Sequence, residues 1–227
     1  MWPLTDITIY SDHESVDKDF ARKANYICDL YHNRLDGYKP PKTSRICLHL
    51  STLTINRPPI YIGSICEHYC HFNYENYEKL ASKLKQFACI LDLAHQAVME
   101  LAEIFKWDKT PFIRSYESII IDNFRFIKEY PIKKSKDRCN AGQAILEKTV
   151  SDVTLSVKIV GNENFESILI EKKNWFWYDS SYRLASQMKW IDNNSFGFKS
   201  KTLGAEVYFS IKDKKVFKNF DYKEDDF

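Results

Sequence analysis

The chain has 227 residues, 44% of them hydrophobic and 28% charged, with 33 basic against 31 acidic side chains. This is the composition of a folded globular chain and excludes long-range disorder; a chain of this size buries roughly 70% of its unfolded surface without a metal or disulfide staple. A formal charge of +2 argues against a dedicated phosphate-backbone binder, which is as a rule visibly basic.

The N-terminus, Met1-Trp2-Pro3-Leu4-Thr5-Asp6, shows no basic segment, apolar run or small-residue cleavage site of a signal peptide. Leu4–Tyr10 alternates branched or aromatic residues with polar ones and predicts a strand. Ser11-Asp12-His13-Glu14 reads as a capping box ahead of a helix carrying Val16, Phe20, Ala24, Ile27 and Tyr31, with Gly37 placed for a left-handed stop. Ile46, Leu48 and Leu50 alternate as a second strand, and Ile60–Phe72 alternates again. Asn56-Arg57-Pro58-Pro59 separates these two runs, which are expected to pair antiparallel.

Asn73 is a good N-cap for the next segment. Leu80, Leu84, Phe87, Leu91, Ala94, Val98, Leu101 and Phe105 form an apolar stripe, and no Gly or Pro interrupts 74–106. This predicts a central helix of about 30 residues, roughly 45 Å long. Its apolar stretch, broken by Asp92, His95 and Gln96, falls short of the ~20 residues a membrane span needs. A soluble, cytoplasmic protein with reduced thiols is therefore expected.

Pro111 suits the first turn of a further helix. The β-branched Ile119-Ile120-Ile121 leaves 112–127 open between helix and hairpin, with a helix to about Asp122 preferred. Asn140–Lys148 fits a short helix. From Asp152 the texture changes to successive short apolar runs: Val153–Ile159, Phe165–Lys172, Asn174–Tyr178, Met188–Ile191, Phe196–Ser200, Ala205–Ile211 and Val216–Phe220. That is the pattern of an antiparallel meander. The fold class expected is α+β: N-terminal strands with a first helix, the long central helix, and a C-terminal antiparallel β-meander. We read 1–227 as one domain with an inner boundary near residue 150, dividing a helix-rich half (1–150) from a sheet half (151–220), and with a frayed acidic tail (221–227).

The six glycines, Gly37, Gly63, Gly142, Gly161, Gly197 and Gly204, stand too far apart for a phosphate-cradling loop or a nucleophile elbow. Extended backbone over Cys66-Glu67-His68-Tyr69-Cys70-His71 puts Cys66, His68 and Cys70 on one face. Thiolate and imidazole bind zinc, but i and i+4 on a flat strand lie about 13 Å apart, so buried thiols on a core face are expected and no metal or cofactor. Cys28 and His32, and likewise Asp92 and His95, share helix faces and are candidates for a nucleophile with its base and for an oriented base. The basic run Lys128, Lys133, Lys134, Lys136 and Arg138 surrounds Tyr130 and reads as a solvated loop.

The densest aromatic cluster, Trp175-Phe176-Trp177-Tyr178-Asp179 followed by Tyr182, marks the expected interface: Trp175, Trp177, Tyr178, Asp179 and Tyr182, with large aromatics on both faces of a strand. No catalytic residue is assigned. The function expected is a non-enzymatic protein-binding module, for instance a neutralising partner of the immunity or antitoxin kind. The rival readings are a hydrolase-like enzyme without a short motif, using scattered carboxylates or the Cys28–His32 pair, and a nucleic-acid-binding module using 128–138.

Overall fold

The computed structural model describes residues 4–11, 18–172, 178–201 and 204–219. The chain divides into two compact units, Met1–Phe124 and Arg125–Phe227. Helix and strand are mixed, and among the described residues there are five helices.

In the first unit, strand β1 (Asp6–Ser11) leads to helix α1 (Lys18–Asn33) and strand β2 (Arg45–Ser51). β1 and β2 pair parallel, as a βα crossover requires. Ser11 is the last residue of β1; the rest of the predicted capping box lies outside the described residues. Gly37 does take a left-handed φ of 69°, but in the turn that follows the helix.

The next two strands correct the expected pairing. Gly63, with φ 63°, makes a tight turn that divides the run into β3 (Ile60–Ile62) and β4 (Ile65–His71). β3 runs antiparallel to β4, so β4 emerges in the direction of β2 and pairs with it parallel. The sheet order is β1-β2-β4-β3.

The predicted long helix is two helices. Asn73 caps α2 (Tyr74–Glu78), its side chain accepting the Asn76 amide at 2.9 Å. The chain then breaks, and Ser82 caps α3 (Lys83–Phe105), a helix of 23 residues and the longest among the described residues. Neither Gly nor Pro makes the break; the Ser82 hydroxyl does, by taking the Lys85 amide that a continuous helix would have used internally. The apolar stripe stands: Phe87, Ile90, Leu91, Ala94, Val98 and Leu101 are buried. Helix α4 (Thr110–Ile121) follows, with Pro111 in its first turn, so Ile119–Ile121 belong to a helix. α1, α3 and α4 pack on one another, with α1 against β1 and α3 against β4.

The second unit holds two sheets. One has the order β5-β7-β8-β9 from β5 (Phe126–Glu129), β7 (Ala141–Lys148), β8 (Val153–Val160) and β9 (Phe165–Lys172), with β6 (Lys133–Lys134) also on β7. The other is β10-β11-β12-β13 from β10 (Lys189–Trp190), β11 (Ser195–Ser200), β12 (Ala205–Ser210) and β13 (Lys215–Asn219). Every pairing in both is antiparallel. Asn140–Lys148 is thus a strand rather than a helix. Its Ala, Gln, Leu and Glu tolerate a helix, but partners on both edges complete its backbone hydrogen bonds, and pairing overrides propensity. The change of texture near residue 150 falls at the β7–β8 connection, inside this unit.

A bulge between β8 and β9 leaves Leu169 and Ile170 buried in succession, since the extra residue re-aims the strand. Helix α5 (Tyr178–Gln187) packs on β7, β8 and β11. Tyr178 therefore opens a helix instead of closing a strand; residues 173–177 lie outside the described residues.

Candidate functional site

Strand periodicity sorts the side chains of the first sheet into two faces. Ile7, Ile9, Ile46, Leu48, Leu50 and Cys66 form the inner set, buried under the helices. The register puts a different set on the outer face: Asp6, Thr8 and Tyr10 on β1, Arg45, Cys47 and His49 on β2, and Ile65, Glu67 and Tyr69 on β4. β3 adds Ile60 beside Glu67 and Ile62 beside Ile65.

Tyr10, His49 and Tyr69 are abreast on three neighbouring strands. Strands lie about 4.8 Å apart, close to the separation of stacked rings, so three flat side chains in register stand face to face. The Tyr10 and His49 rings are 5.3 Å apart at 19°, and His49 and Tyr69 are 5.0 Å apart at 24°. Arg57, from the segment before β3, extends the row, its guanidinium carbon 5.3 Å from the Tyr69 ring centre.

The polar groups around this row are unevenly satisfied. Arg45 bonds Asp6 at 2.9 Å and donates to Thr8 Oγ1 at 3.0 Å. Its Nε, however, is buried with no hydrogen-bond partner, and so is His49 Nε2. The nearest carboxylate oxygen to that imidazole nitrogen is on Glu67, 4.0 Å away, too far for a hydrogen bond. Arg57 reaches the Tyr69 hydroxyl at 3.5 Å and makes no ion pair among the described residues. Cys47 lies between Arg45 and His49 on the same face. Burial pushes its thiol up, Glu67 and Asp6 add to the rise, and Arg45 opposes it. The thiol is held in its neutral form, the opposite of an activated nucleophile.

The face is open at its ends: Tyr10 is 40%, Ile60 39% and Ile62 56% exposed, and Leu53, in the segment before β3, is 72% exposed.

Cys66 and His68 point to the helices; His68 Nε2 donates to Glu100 Oε2 of α3 at 3.1 Å, and burial pushes the Cys66 and Cys70 thiols up to about 12. Cys28 is buried and its thiol is raised by that burial. His32 donates from Nε2 to the Leu4 carbonyl at 2.7 Å, so the pair is tied to the core rather than to a cleft. Asp92 accepts the Tyr116 hydroxyl at 2.7 Å, and His95 is 2.7 Å from the Tyr31 hydroxyl and stacked 4.3 Å from the Tyr116 ring. Each member has its own partner, and burial lowers the His95 pKa. In the basic run, Lys133 donates to the Met188 carbonyl at 2.5 Å, and Lys128 lies over the Tyr130 and Tyr182 rings.

Of the predicted interface, Trp175 and Trp177 lie outside the described residues, and Tyr178 and Asp179 form the first turn of α5. Tyr182 is half-buried, its ring 5.9 Å from Phe126 and 4.0 Å from the ammonium of the buried Lys148. The sequence reading did not single out Tyr10, His49, Tyr69 or Arg57. A signal was present: the positions alternating with the apolar ones in the three N-terminal strands are Thr8 and Tyr10, Cys47 and His49, and Glu67 and Tyr69, a polar and aromatic set.

A hollow of about 480 Å³ lies between the α2 segment and α3, lined by His71, Tyr77, Leu80, Lys85, Cys89 and Asp92 among others. Burial raises the Cys89 thiol, with Asp92 adding to the effect, so this thiol too is kept neutral. No helix among the described residues is long and apolar enough to cross a membrane. No family model, curated protein or solved structure matches the chain.

Proposed function

We propose that the chain is a protein-binding module and that the outer face of its N-terminal sheet is the docking surface. The observation that carries this reading is the Tyr10–His49–Tyr69 row together with the exposed Ile60 and Ile62. Parallel strands are as a rule covered on both faces; here the helices gather on one face and the other presents tyrosines, histidine and branched aliphatics. Tyrosine and arginine are the side chains that most often anchor a protein interface. A neutralising protein, which blocks another by covering its working surface, is one use of such a face. The thiols of Cys28, Cys47, Cys66, Cys70 and Cys89, raised by burial, support binding over catalysis.

The test is site-specific photocrosslinking in the native host, with the crosslinking residue replacing Ile62 and, as a control, Val160. A single protein joined stoichiometrically at position 62 and absent at 160 is the result expected. Labelling that is equal at both positions, or none at 62, refutes the reading.

A further inference from the structure

Resting on that docking face, we infer that the partner is a protein that presents a carboxylate to Arg57, beside an aliphatic or aromatic side chain that covers Ile60 and Ile62. Of the carboxylates of the face, Asp6 already bonds Arg45, while Glu67 stands 4.0 Å from His49 Nε2 without a hydrogen bond to it. The exposed Arg57 guanidinium is held by one long contact to Tyr69 and makes no ion pair among the described residues. A guanidinium matches a carboxylate in a planar, two-point arrangement, and one already stacked on a tyrosine ring loses less freedom when it binds.

A nucleic acid fits less well. Its bases need open ring faces, and in this row His49 is covered on both sides and Tyr69 by His49 and Arg57. Asp6 and Glu67 would also repel its phosphates. Ile60 stands opposite Glu67, two residues before Tyr69 on the same face, so an apolar side chain next to the partner's acid has a place to rest.

The experiment pans a random dodecapeptide phage library on the full-length protein and measures enriched synthetic peptides against variants. Arg57 is exposed in a connecting segment, so Arg57→Ala should keep the wild-type melting temperature, which is checked first; Arg57→Lys is the second variant. The expected result is a consensus with Asp or Glu next to an aliphatic or aromatic residue. Arg57→Ala should weaken binding about tenfold or more, Arg57→Lys less, and Ile62→Asp should abolish it. Peptides that Ile62→Asp blocks, but that lack an acid or ignore Arg57→Ala, overturn the carboxylate inference and leave the docking face standing. Peptides insensitive to both variants, or no enrichment, overturn both. Competition by single-stranded oligonucleotides near physiological salt, or self-association in sedimentation that Ile62→Asp abolishes and the peptides do not disturb, assigns the face to another occupant and also overturns the inference.

Discussion

A Cβ added to Gly197 would lie 2.2 Å from the Val207 carbonyl oxygen and 2.5 Å from Tyr208 Cα. Both are backbone atoms of the neighbouring strand and cannot swing aside. Gly197→Ala should therefore cost about 2–3 kcal/mol, seen as a lower urea midpoint. The buried thiols make a second residue-scale prediction. Cys66 and Cys70 are pushed up to about 12 by burial from an ordinary 9.0. Since the folded values are the raised ones, the unfolded chain releases these protons first. Their stabilisation is complete below about pH 9 and drains away as pH rises toward about 12. The urea midpoint should hold steady to about pH 8.5 and fall beyond it, with a shallower fall in Cys66→Ala. At this scale the sequence was informative about burial and silent about partners. Cys66, His68 and Cys70 could be assigned to one face from spacing alone, but that Glu100 meets His68 depends on a helix 32 positions away.

Ser82 and Lys106 bracket α3, and each makes a prediction about that helix. The Ser82 hydroxyl accepts the Lys85 amide, so Ser82→Ala should cost about 1 kcal/mol. Lys106 closes the helix at φ 58°, a conformation a glycine adopts without strain. Lys106→Gly should stabilise by about 0.5–1 kcal/mol; calorimetry of the two variants checks both signs. Elements with a long periodic pattern, such as the α3 stripe and the C-terminal strands, were legible in the sequence because side-chain burial repeats with backbone geometry. Pairing direction was not. Whether β4 runs with or against β2 turns on one two-residue bend at Gly63, which alternation within the run does not reveal. Asn140–Lys148 misled for a related reason: its residue types suit a helix, and only strands distant in sequence make it a strand.

Each of the two units has its own buried set: Ile46, Leu48, Phe87, Leu91 and Phe112 in the first, Leu146, Leu155, Val157, Phe196 and Val207 in the second. A fragment ending at Phe124 should therefore fold alone, giving dispersed amide resonances and a cooperative melt; a collapsed spectrum without a transition is the contrary outcome. The boundary was hidden because no Pro, Gly or Ser-rich linker marks it and the local texture changes later, at the β7–β8 connection. The Tyr10–His49–Tyr69 row was hidden for a larger-scale reason. Tyr10, His49 and Tyr69 come from three separate strands with a helix and long connections between them, and nothing local to any of them announces that they will stand abreast.

The sandwiching of His49 between two phenol rings gives the molecule a built-in reporter. Aromatic currents from both sides should shield the imidazole carbon-bound protons, displacing their magnetic resonances upfield of an ordinary histidine. Anything that settles on the sheet and tilts either phenol will move those lines. Occupancy can thus be followed on the unlabelled protein, with neither dye nor tag, whatever the visitor is.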